Sequence, residues 1–214
     1  MITEIENRQE RSLKRNFYFV RHAQSQANVQ LIGGGDPSLT ILGEKQAETT
    51  GLELGQYFSL RDEQPAVLIH TGFERTRRTL EIISGILGSK LTPIEMVDFR
   101  ERLLGAFEEK SLSDILQASE LRGLYEKYGP SCVWFLKSED KGVEPLSEMY
   151  TRTEKAIVFL QTEYGDSPVI VVGHAGSMKM ARRIYEFGSR DDLANYLAGF
   201  VPENCEIYKL GSNK

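Results

Sequence analysis

A chain of 214 residues, 40% hydrophobic and 27% charged, can bury a sizeable core without disulfide or metal staples and is most simply one compact domain. Its net charge of -5 gives it no general attraction to nucleic acid or an anionic membrane, so an anionic ligand must meet positive charge gathered in one pocket. Cys132 and Cys205 are too far apart for a metal-spaced pair or a disulfide framework, and buried structural roles are expected for both. No apolar run reaches membrane-spanning length. Residues 1–15 are polar and charged, without the apolar stretch of a secretory signal, so they read as an N-terminal arm and the expected compartment is the cytoplasm.

Residues 16–214 carry the elements of a single α/β domain. Phe17-Tyr18-Phe19-Val20 is a run of β-prone residues that reads as a short buried strand, and it meets Arg21-His22, Ser25 and Asn28 at its end. After the turn-rich Gly33-Gly34-Gly35-Asp36-Pro37, a helical pattern runs from Thr40 towards Tyr57. Pro65-Ala66-Val67-Leu68-Ile69 is a second buried strand ending at His70-Thr71-Gly72. Phe73 to Leu87 reads as a helix with Leu80, Ile83, Ile86 and Leu87 on one face. Pro93 to Val97 predicts an edge strand, and Ser111 to Tyr128 is helical in pieces. Glu148 to Tyr164 predicts an amphipathic helix. Pro168-Val169-Ile170-Val171-Val172 predicts the clearest strand, running into Gly173-His174-Ala175-Gly176. A helix from Ser177 and a closing strand over Glu206 to Leu210 complete the chain.

Apolar strands alternating with helices predict a three-layer α/β/α sandwich with a mostly parallel sheet, and about 106–145 predicts a small helical cap insertion. Ligands bind such sheets beyond the carboxyl ends of the strands. Three strand ends carry polar groups there: Arg21-His22, Thr71 with Arg75, and Gly173-His174, with Glu101 following the edge strand. Two imidazoles, two guanidiniums and one carboxyl group would then share one rim, a set suited to a phosphate-like anion.

Phe19-Val20-Arg21-His22-Ala23-Gln24-Ser25 with Asn28, followed by Leu39-Thr40-x-x-Gly43-x-x-Gln46-Ala47, resembles the opening of the histidine phosphatase superfamily, the phosphoglycerate-mutase-like proteins. Thr71-Gly72-Phe73-Glu74-Arg75-Thr76-Arg77-Arg78-Thr79 is similar to that family's Ser-Pro-Leu-x-Arg-Ala-x-Gln-Thr segment. Glu101-x-x-x-Gly105-Ala106-Phe107-Glu108 resembles its Glu-x-x-x-Gly-x-Trp-Glu segment. Gly142-Val143-Glu144 stands where many members have Gly-Gly-Glu-Ser, and Val171-Val172-Gly173-His174-Ala175-Gly176 resembles the second histidine segment. The resemblance runs from Asn16 to Leu210.

The resemblance implies that His22 is the nucleophile, forming a phosphohistidine and so dividing one displacement into two. It implies that Arg21, Arg75, His174 and Asn28 surround the phosphate oxygens, and that Glu101 protonates the leaving oxygen and later activates water. Substrate contacts are expected from Arg21, Ser25, Asn28, Gly33, Arg75 and Ala175, with no metal or other cofactor. Ala23 stands where the family usually has glycine, Gln24 where glutamate is common, and Pro145 where serine is frequent. Arg77 and Arg78 read as a solvated helix face and His70 as structural. Tyr125, Tyr128, Trp134 and Phe135 read as packing for the cap that could also shape the substrate entrance.

The leading reading is a phosphomonoesterase acting on a small phosphorylated substrate, with no nucleic-acid or membrane partner and with a homodimer left open. The alternative is a phosphoglycerate mutase, which Glu101-Arg102-x-x-Gly105-Ala106 resembles, although Leu112 and Asp114-Ile115 stand where mutases have an arginine pair. A module that binds phospho-ligands without turnover is a third reading.

Overall fold

Strand β1, Phe17–Arg21, pairs in parallel with β4, Val169–Gly173, residue for residue from Phe17 opposite Val169 to Arg21 opposite Gly173. Period-two alternation sends Phe17 and Phe19 to one face of the sheet and Tyr18 and Val20 to the other, and every one of the four is buried. Both faces are therefore covered, which is why the strands read as continuous apolar runs. The structure is a computed structural model that describes residues 16–30, 35–137 and 142–210. With β2 at Val67–His70, β3 at Ile94–Glu95 and β5 at Ile207–Leu210, the five-stranded sheet has the order β3-β2-β4-β1-β5, parallel except for β5, which runs against β1.

Helices α2, Ile41–Ser59, and α3, Glu74–Ile86, cover one face, where Leu54, Phe58, Leu80 and Ile83 meet Tyr18, Val20, Leu68, Ile170 and Val172. Helices α6, Leu146–Tyr164, and α7, Ala175–Phe187, cover the other, where Ala156, Ile157, Leu160, Met178 and Ala181 meet Phe17, Phe19, Ile69, Val169 and Val171. This is the three-layer α/β/α sandwich that the alternation predicts. Each fully buried Phe, Ile, Val or Leu in these two layers contributes roughly 1.5–3 kcal/mol of burial free energy.

The register decides where the polar tips lie. Strand β2, Val67–His70, also pairs with β4, His70 opposite Val172, so Thr71 comes level with Gly173 and Arg21. The chain leaves β1 towards α2 on one face and leaves β4 towards α7 on the other. Neighbouring strands whose connections part in this way open a crevice at their carboxyl ends.

Several boundaries differ from the sequence expectation. Edge strand β3 is only Ile94–Glu95, because the chain turns into a 3-10 segment at Val97–Phe99 that buries Phe99. Helix α7 begins at Ala175 rather than Ser177: the Ser177 hydroxyl accepts from the His174 N–H (3.0 Å), closing a capping box with His174 as the cap. Two short helices were not signalled by the pattern, α1 at Gln26–Gln30 and α8 at Leu193–Ala198. The 106–145 region contains α4, Leu112–Ala118, α5, Arg122–Tyr128, and a 3-10 segment, Gly129–Phe135. Leu104, Phe107, Ile115, Leu121, Cys132, Leu136 and Val143 form a separate small core there. Cys132 and Cys205 are free thiols. Among the described residues no helix is long and apolar enough to cross a membrane.

Candidate active site

Beyond the tip of β1 the His22 N–H donates to the Gly173 carbonyl (2.8 Å), which ties the first histidine to the strand that carries the second. Their rings meet edge to face, with centroids 5.2 Å apart. Both are buried, His22 at 5% and His174 at 1% exposure. The His22 Nδ1 atom lies 2.8 Å from the Ala23 carbonyl, a group that can only accept, so Nδ1 carries the proton and Nε2 keeps its lone pair. Burial, reinforced by the charges of Arg75 and Arg21, pushes the His22 pKa down to about 3, so the ring is neutral at physiological pH.

A chain of hydroxyls fixes the other tautomer. Thr76 Oγ1 donates to the Phe73 carbonyl (2.8 Å), the Thr71 hydroxyl lies 3.0 Å from Thr76 Oγ1 and donates to it, and His174 Nε2 donates to Thr71 Oγ1 (2.9 Å). Nδ1 of His174 is then left as an acceptor, and Arg75 Nη2 donates to it (3.3 Å). Burial first, then Arg75 and His22, hold His174 well below the usual histidine value. Neither imidazole supplies positive charge in this state. That charge comes from the two guanidiniums.

Arg75 is 5% exposed, donates from Nη1 to the Gly35 carbonyl (2.7 Å), and lies 3.8 Å from Asp36. Arg21 donates to the Pro202 carbonyl, while its buried Nε has no hydrogen-bond partner. A buried guanidinium donor without a partner is costly on its own and suits an arriving oxyanion. Asn28 Oδ1 accepts from the Ser25 N–H (2.9 Å), the Ser25 hydroxyl (3.2 Å) and Asn204 Nδ2 (3.3 Å), which leaves the Asn28 amide as the group able to donate. Ser25 is fully buried and its hydroxyl donates to Asn28 Oδ1, so in this structure it braces Asn28. Ala175 opens α7 and lines the cavity beside the site. Gly33 lies outside the described residues.

Glu101 reaches the same rim from the loop after Phe99. One carboxylate oxygen, Oε2, accepts from the Gly176 N–H (2.9 Å) and the other, Oε1, from the Arg102 N–H (3.1 Å). Glycine is required at 176, since a Cβ there would stand 1.9 Å from Glu101 Oε1 and 2.3 Å from Trp134. The loop is held from behind by Glu144 and Arg152. Arg152 donates to the carbonyls of Asp98, Arg100 and Glu101 (2.6, 2.8 and 3.2 Å) and pairs with Glu144 at 2.6 Å. The Glu144 carboxylate also accepts from the Leu103 N–H (3.1 Å).

The structure thus brings His22, His174, Arg21, Arg75, Asn28 and Glu101 to one crevice. His70 is structural: its Nδ1 accepts from the Gly72 N–H (3.0 Å). Arg77 and Arg78 pair with Glu74, Glu81 and Glu44 on the surface of α3. Residues that the sequence reading assigned no role include Asn204, which also donates to the His22 carbonyl (3.0 Å), Arg102, Lys179 and Arg152. Arg152 falls in helical register with the buried Met149, Thr153 and Ala156, an inward-facing charge that periodicity alone could have flagged. Asn204 lies in a loop with no such signal.

Residues 17–213 match the family model of the histidine phosphatase superfamily, branch 1. The chain belongs to that superfamily. A mycobacterial glucosyl-3-phosphoglycerate phosphatase in complex with VO3 has a similar fold, with a TM-score of 0.71, 21% identity and 90% of each chain covered. The phosphoglycerate mutase of Bacillus anthracis str. Sterne also scores 0.71, at 18% identity over 93% of this chain and 89% of its own. Sequence comparison with curated proteins finds no match. This histidine phosphatase superfamily member therefore shares its fold with both a phosphatase and a mutase.

Proposed function

We propose that the chain is a phosphomonoesterase that works through a phosphohistidine on His22. The observation that carries this reading is the protonation pattern: Nδ1–H is fixed on the Ala23 carbonyl, so the Nε2 lone pair is the free nucleophile, in a pocket whose cations are Arg21 and Arg75. In the first step Nε2 attacks phosphorus and the ester P–O bond breaks. The Glu101 carboxyl, when protonated, gives its proton to the departing oxygen. In the second step water attacks the phosphohistidine, its proton passes to the Glu101 carboxylate, and the N–P bond breaks to release phosphate. Arg21, Arg75 and the Asn28 amide offset the charge on the phosphoryl oxygens, which is most of what phosphoryl transfer asks of a protein. His174, braced by Thr71, would add a donor to the same oxygens once it takes up a proton.

A mutase would use the same phosphohistidine but must also grip the substrate's carboxylate. Arg102, which follows Glu101, is 4% exposed, and its guanidinium donates to the carbonyls of Glu144, Leu136, Val133 and Trp134 (2.8, 2.8, 3.2 and 3.2 Å). Four of that fork's five N–H donors are taken by backbone carbonyls, which supports hydrolysis over mutation of phosphoglycerates. The test is hydrolysis of p-nitrophenyl phosphate by the wild type and by His22→Ala. Turnover should vanish in the variant, and a retained rate would remove the mechanism. Efficient interconversion of 3- and 2-phosphoglycerate with bisphosphoglycerate present would favour the mutase.

A further inference from the structure

Next to the phosphate cradle lies a cavity of about 500 Å³, within the range of small-molecule sites. Arg21 and Asn28 belong to both, so whatever the phosphoryl group is attached to enters this space. Leu104, Leu112, Ile115, Val133, Trp134 and Val201 supply most of its wall, with Gln24, Ser131 and Asn204 as its uncharged polar members besides Asn28. Among the described residues that line it, the only cations are Arg21 and Lys179. Lys179 is 1% exposed; its ammonium donates to the carbonyls of Leu197 and Phe200 and sits 4.9 Å from the Trp134 ring centre. Burial lowers its pKa to about 8. Arg102, behind the wall, is held by its four carbonyls.

We propose that this cavity receives an uncharged, largely apolar organic group, so that the preferred substrates are monophosphates of aryl or alkyl alcohols without a second anionic group. The proposal rests on the phosphomonoesterase reading for turnover, though not for binding. A carboxylate or second phosphate on the substrate would give up its hydration against Leu112, Ile115 and Val133, and among the described residues of this wall it would meet no guanidinium beyond Arg21 and only the Lys179 ammonium, two of whose three donors are already taken by carbonyls. An aryl group, by contrast, removes its own apolar surface and that of Trp134 from water.

The experiment compares 1-naphthyl phosphate with 3-phosphoglycerate in two ways: kcat/KM for the wild type, and dissociation constants for His22→Ala, where no turnover interferes. The aryl ester should be favoured by at least about tenfold in both, a margin that apolar pocket contacts alone can supply. Equal or better binding of 3-phosphoglycerate would overturn the proposal. Should the wild type hydrolyse neither ester while His22→Ala still prefers the aryl one, the phosphomonoesterase reading falls and the ligand class stands. Val201, 60% exposed at the cavity wall, tolerates a longer side chain, so Val201→Arg should narrow the preference by strengthening binding of 3-phosphoglycerate. An unchanged ratio in that variant would remove the cavity from the account of specificity.

Discussion

His22 and Glu101 divide the proposed chemistry between a nucleophile kept neutral by burial and a carboxyl group held by two backbone N–H donors. The division makes Glu101 matter in proportion to how badly the leaving group needs a proton. Glu101→Gln should lower kcat for an alkyl phosphate by roughly 10²–10⁴, the usual worth of a positioned general acid. It should affect p-nitrophenyl phosphate far less in the phosphorylation step, because p-nitrophenolate departs without protonation. Single-turnover rates for the two esters measure the difference directly, and an equal loss on both would mean that Glu101 is not the proton donor.

At the scale of elements, the site depends on α7 meeting the loop of Glu101, and that meeting depends on the cap. Gly176 allows the helix N-terminus and the carboxylate to approach, and Glu144 with Arg152 anchors the loop on the other side. Arg102 joins the same loop to the cap by donating to carbonyls at Val133, Trp134, Leu136 and Glu144. Arg102→Leu would take the guanidinium from all four carbonyls in a dry setting, and of these the Val133 carbonyl would still accept from the Leu136 N–H. A loss of about 3 kcal/mol or more is expected in denaturant unfolding, since each unsatisfied buried acceptor costs roughly 1–3 kcal/mol. kcat should fall as well, because the backbone beside Glu101 loses its tether.

For the molecule as a whole, two buried neutral histidines couple stability to pH. The unfolded His22 takes a proton near pH 6.5, whereas the folded one resists until about pH 3. The folded state therefore binds fewer protons between these values, and stability is present above pH 6.5 and declines as pH falls towards 3. By pH 5 the loss from His22 alone is on the order of 2 kcal/mol, and His174 adds to it in the same direction. Urea unfolding at pH 7 and pH 5 should reveal this decline, and it should be shallower in His22→Asn. A free energy of unfolding that does not change between those pH values would show that the rings protonate normally in the folded chain.

The sandwich was legible because both faces of its strands are buried: four apolar residues before Arg21-His22 and five before Gly173-His174 leave little else for those segments to be. Arg21, His22, Thr71 and His174 of the candidate site were legible because the register makes strand tips coincide, so a polar residue after an apolar run is already placed on the rim. What the tertiary structure alone decided is how each member is held. Thr71 choosing the tautomer of His174, Asn204 reaching back to His22, and Arg102 facing backbone carbonyls instead of solvent all involve partners distant in sequence. Periodicity reports which side of an element is dry. The hydrogen-bond partner of a buried polar atom depends on which other elements are packed against it, and that is fixed only when the layers come together.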